Sequence, residues 1–160
     1  MKTIATAAAA LVATAAFAGS AAAQTATQDV GFEVQAISQI AFSGSPTLTI
    51  STATAGSAPT SATASGSYAV TTNETNQKIT AEIDATMPTG VTLTASLAAP
   101  SGGTSAGVKT LSTTAQDVVT GISTLNQSGL SVSYGLSATS AAGVVAADSR
   151  TVTYTILAGS

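Results

Sequence analysis

The chain has 160 residues, only 7% of them charged, and a formal net charge of −3. It contains neither cysteine nor histidine, which removes disulfides, lipid attachment at a lipobox cysteine, histidine-based catalysis and the usual transition-metal ligands. Beyond Lys2 its basic residues are Lys78, Lys109 and Arg150, widely separated, so nucleic acid, which needs clustered Lys and Arg, is not an expected partner.

The chain starts "MKTIATAAAALVATAAFAGSAAAQ". Lys2 precedes an Ala-rich uncharged run with Ile4, Leu11, Val12 and Phe17, and Ala21-Ala22-Ala23 then forms an A-x-A site. Residues 1–23 thus have the form of a secretory signal peptide, with Gln24 as the mature N-terminus and Ala16-Phe17-Ala18 as a second possible site. The run is weakly apolar and no basic stop signal follows it, so the mature form is expected to have no membrane span. What remains is of one-domain length.

Next comes "DVGFEVQAISQIAF", residues 29–42, which alternates apolar with polar or small residues for longer than one ordinary strand needs. One phase contains Val30, Phe32, Val34, Ala36, Ser38, Ile40 and Phe42. This N-terminal strand segment, placed at 24–45, can pair in its own domain, bridge two sheets of it, or be given to a neighbouring subunit. The β-sandwich domain is placed at 46–160.

Leu48 and Ile50 alternate in "SPTLTIS", and the Ser/Thr/Ala/Gly run over 51–67 is expected to be a long loop. Tyr68, Val70 and Thr72 share one strand face, followed by turn residues Asn73 to Asn76. In "KITAEIDATM", Ile79, Ala81, Ile83 and Ala85 face the core, and Lys78, Thr80, Glu82 and Asp84 face water. Pro88 and Gly90 fit positions i+1 and i+3 of a type I turn, predicting a hairpin to the strand of Val91, Leu93, Ala95 and Leu97.

Val108 and Leu111 mark a weaker strand. "TTAQDVVTGI" suits either a short helix capped by Thr114 or a strand through Val118, Thr120 and Ile122, and is assigned as a strand. After a turn at "NQSG", Leu130, Val132, Tyr134, Leu136 and Ala138 alternate, and "RTVTYTILA" closes the chain with Val152, Tyr154 and Ile156 in phase. Eight or nine short strands without a long helix specify an all-β fold, an Ig-like antiparallel β-sandwich.

Gly103-Thr104-Ser105-Ala106-Gly107 matches the G-x-S-x-G nucleophile elbow. The elbow needs a strand-to-helix turn and a histidine base, so Ser105 is read as a loop residue. Glu82 and Asp84 share a strand face but are too few to hold calcium. Threonines at 47 and 49, at 92 and 94, and at 151, 153 and 155 could form a flat lattice for ice or sugar if their strands were adjacent; ordinary exposed strand faces favour Thr as well. Asn73-Glu74-Thr75 and Asn126-Gln127-Ser128 have the form of glycosylation sequons but are read as turns. No catalytic residue, metal site or cofactor is expected, and the protein is expected not to be an enzyme.

The alternating "VGFEVQAISQIAF" and the terminal "SRTVTYTILA" with Tyr154 resemble secreted bacterial β-sandwich proteins of the pilin and spore-coat U type. The chain differs in having no cysteine pair and in continuing past Tyr154 to Ser160. The resemblance implies a surface or filament subunit, a homo-oligomer assembled by strand complementation, with Val30, Phe32 and Val34 inserted into a neighbour. Ile40 and Phe42 continue the same candidate assembly strand. A secreted or cell-surface location follows from the signal. The alternative is a monomeric extracellular binding module for carbohydrate or another surface.

Overall fold

The computed structural model describes residues 23–160; the expected signal peptide, apart from Ala23, lies outside the described residues. The chain divides after Glu33, and the nine strands among the described residues belong to the part from Val34 to Ser160. They are β1 (Ser38–Ser43), β2 (Ala62–Thr72), β3 (Gln77–Ile83), β4 (Val91–Leu97), β5 (Thr104–Ser105), β6 (Lys109–Thr110), β7 (Gln116–Ile122), β8 (Leu125–Ala138) and β9 (Val152–Ala158). One sheet has the order β1-β2-β8-β4-β6 and the other β5-β7-β3-β9, antiparallel throughout. The all-β sandwich is the architecture expected from the alternation.

The core forms where apolar residues recur at every second position. Tyr68 and Val70 of β2, Ile79, Ala81 and Ile83 of β3, Leu93, Ala95 and Leu97 of β4, and Leu130, Val132 and Tyr134 of β8 are all buried and pack into one cluster. Their neighbours along each strand point the other way, as a pleated strand requires. Ala85 falls beyond the end of β3 and is exposed.

β7 breaks the rule, because Val118 and Val119 are both fully buried. Between the pairs Ile79↔Val119 and Thr80↔Asp117, β7 has one residue more than β3. This bulge turns two consecutive valines inward. It also decides the helix-or-strand ambiguity in favour of a strand.

Four local expectations are corrected. The run 62–67, expected as loop, is the first half of β2 and pairs with β8 from Ala62↔Leu136 to Ser67↔Ser131; its small residues have little phase of their own and take their register from β8. "NQSG" is no turn but lies within β8. Opposite it, Tyr68 pairs with Leu130 and Val70 with Gln127, so β8 has an extra residue there, beside Gly129 at φ 70°. The third concerns "MPTG", which joins no hairpin: β3 and β4 lie in different sheets, and the turn is an arch between them. Val91 N donates to Pro88 O (3.0 Å), which puts Gly90 at i+2 with φ 77°, a position that requires glycine in a type II turn. "SPTLTIS" forms no strand, although Leu48 packs against the core.

Two tyrosines couple this core to pH. Burial pushes Tyr68 up to about 12; burial, then the hydrogen bond to Tyr134, raises Tyr154 as well. Above about pH 10 an unfolded chain loses phenolic protons that the folded chain still holds. The stabilisation is therefore complete below that pH and is lost as pH rises through the folded values. Alkaline titration followed by phenolate absorbance and circular dichroism should show these two tyrosines ionising only as the β signal collapses. Tyr68 and Tyr154 ionising near pH 10 in a folded protein would contradict this.

Candidate functional site: an unpaired apolar segment and the β1–β9 margin

The opening alternating stretch splits in two. Its second half is β1, which pairs with β2 from Ser38↔Thr72 to Ser43↔Ser67. Ile40 and Phe42 are half-buried and pack against the core. Phe42 stacks between Tyr154 (centroids 4.0 Å) and Tyr68 (5.3 Å). These two side chains complete their own domain, so the candidate assembly strand shortens to Val30, Phe32 and Val34.

β1 loses its partner where β2 ends, and Asn73 makes the transition. Its backbone N–H donates to Ile37 O (3.1 Å), its Oδ1 accepts from Ile37 N (2.7 Å), and its Nδ2 donates to Gln35 O (2.8 Å). The side-chain amide thus stands in for the next strand residue, as Asn can. N-terminal to Gln35, no hydrogen bond to another described residue is made. Val30, Phe32 and Val34 are 76%, 94% and 78% exposed and lie in no strand.

β1 and β9 are the outermost strands of their sheets on one side of the sandwich, and each has an outer edge without a partner among the described residues. The Phe42–Tyr154 stack packs them together. On the opposite side, the outermost strands β5 and β6 are only two residues long. Sheet edges with free N–H and C=O groups are where another chain can add a strand.

A cavity of about 1320 Å³ opens between the sheets where β1 and β8 finish and β4 and β9 begin. Ile40, Phe42, Leu93, Leu136 and Val152 form apolar walls, and the chain around Leu48 and around Val145 borders it. Tyr134 and Tyr154 also line it, with the Tyr154 hydroxyl donating to that of Tyr134 (2.9 Å). At its rim Arg150 is paired with Asp148 (2.6 Å) and donates to Thr86 O. That ion pair holds the Asp148 carboxyl below its usual range, chiefly through the hydrogen bond from Arg150.

The remaining candidates have structural explanations. Ser105, expected in a loop, lies in the two-residue strand β5, and its Oγ donates to Leu97 O of β4 (2.6 Å) and accepts from Gly107 N (3.2 Å). Asp84 Oδ1 accepts from Thr151 N (3.1 Å) at the start of the last strand, and Glu82 is half-exposed on β3. The threonines form no common lattice: Thr92 and Thr94 belong to the five-stranded sheet, Thr153 and Thr155 to the other, and Thr47 and Thr49 to no strand. Of the residues that shape this margin, Asn73 as a clamp and Tyr134 at the cavity were not singled out from sequence. An Asn directly after an alternating strand is the only local signal for the first, and Tyr134 looked like any in-phase core residue.

Compared with family models, curated proteins and solved structures, the chain matches none.

Proposed function

We propose that the protein is a secreted, non-enzymatic structural subunit of a cell-surface or filament assembly, built by pairing the segment 30–34 of one copy with a sheet edge of the next. The observation that supports this reading is the contrast within one alternating stretch. Ile40 and Phe42 pack into their own core, while Val30, Phe32 and Val34 keep the same phase but remain exposed and unpaired. An apolar, strand-competent segment gains both side-chain burial and a main-chain ladder by joining a free edge. The β1 and β9 edges are the longest available.

Phe32→Asp tests this. The secreted wild-type chain should sediment as assemblies, and the variant as a monomer with an unchanged β spectrum. A wild type that remains monomeric at every concentration, or a variant that assembles as the wild type does, would refute the proposal. The second reading, a monomeric extracellular binding module, draws on one feature, the cavity.

A further inference from the structure

We propose that the cavity at the β1–β9 margin is a binding site for an uncharged, elongated apolar molecule carrying one hydrogen-bond acceptor, of the kind an acyl ester provides. This is independent of assembly through the N-terminal segment. The size of the cavity is the first argument. Well-packed interiors contain few voids larger than a water molecule, whereas ligand pockets run to about 300–1,000 Å³. At about 1320 Å³, and open to solvent on one side, this space exceeds that range and has room for an elongated chain.

The walls define the ligand's body. Ile40, Phe42, Leu93, Leu136 and Val152 offer hydrocarbon from both sheets, the flanking loops add Ser and Thr hydroxyls, and the charges in the lining are Asp148 and Arg150. The cation at the rim, Arg150, is already neutralised by Asp148 and occupied by the Thr86 carbonyl. A carboxylate entering between the sheets would be desolvated without a free counter-charge, which is costly. The ligand is therefore neutral.

Tyr134 defines the polar end. It is 9% exposed and lines the cavity. Its oxygen accepts the Tyr154 proton, but a phenol also has a proton of its own to donate, and that proton has no acceptor among the described residues. A buried donor is stabilised by finding one. A carbonyl or ether oxygen on the ligand would supply it, while the hydrocarbon remainder fills the apolar walls.

The test titrates the full-length protein, loaded with the neutral dye Nile red, with methyl laurate and separately with dodecane. Both should displace the dye, at one molecule per chain. Tyr134→Phe should weaken methyl laurate about tenfold, the size of one hydrogen bond, and leave dodecane unchanged. Ala138→Trp, which places a large ring at the cavity wall, should weaken both while the thermal transition shows a folded protein. Phe32→Asp should change neither. Absence of displacement by either compound would overturn the proposal, as would an equal loss for both in Tyr134→Phe or unchanged binding in Ala138→Trp. Displacement by a synthetic peptide of residues 28–36 but not by methyl laurate would also overturn it, and would make the cavity a strand acceptor.

Discussion

Replacing Phe42 with alanine should destabilise the domain by about 2–4 kcal/mol, whereas the same change at Phe32 should stay within about 0.5 kcal/mol. The two phenylalanines lie in one alternating stretch and in the same phase, so sequence context alone gives them equal weight. Phe42 is half-buried and stacks on two tyrosines, at 4.0 Å and 5.3 Å between centroids. Its removal loses transfer energy and about 0.5–1.5 kcal/mol for each aromatic pair, and leaves a gap between β1 and β9. Partial exposure keeps the total below that of a fully buried ring. Phe32 is 94% exposed and has little to lose. Denaturant unfolding of the two variants, compared by midpoint at constant slope, measures the difference. Equal effects would mean that the chain from residue 30 to residue 42 acts as one continuous strand.

Deleting residues 24–34 should leave a soluble, β-rich monomer that no longer assembles. The cut ends before Gln35 because the Gln35 carbonyl accepts from the Asn73 side chain and belongs to the end of the β1 ladder. Upstream of it the described residues lie in no strand, and Val30, Phe32 and Val34 are exposed. In an assembly each of these side chains would bury about 1.5–3 kcal/mol of apolar surface. From that gain the cost of ordering the segment is subtracted. The deletion should therefore alter association strongly and folding little. Size-exclusion chromatography with circular dichroism reads both. A truncated chain that loses its β signal would place the segment inside its own fold and end the assembly reading.

The fold was legible where burial and period coincide. Ile79, Ala81 and Ile83 announce β3 without ambiguity, and Tyr68 with Val70 announces the second half of β2. The first half of β2 was hidden because Ala, Ser, Thr and Gly fit loop and outer strand face alike, and only pairing with β8 decides between them. The arch at Pro88–Gly90 reads as a hairpin in sequence because a tight turn has the same local chemistry whether the next strand continues the sheet or crosses to the other one. The apolar half of the candidate site, Val30, Phe32 and Val34, could be read directly. The cavity could not, since its walls come from four strands whose proximity is a property of topology.

The stack of Phe42 on Tyr154 ties the first strand of the sandwich to its last. β9 also supplies one whole flank of β3, from Gln77↔Ala158 to Ile83↔Val152. A chain wired this way cannot close its core from β1 onward in sequence order; β3 keeps an empty flank until β9 is available. Contacts so distant in sequence also form slowly once they can. The sandwich therefore becomes compact late in chain order, once β9 is in place to close the open flank of β3.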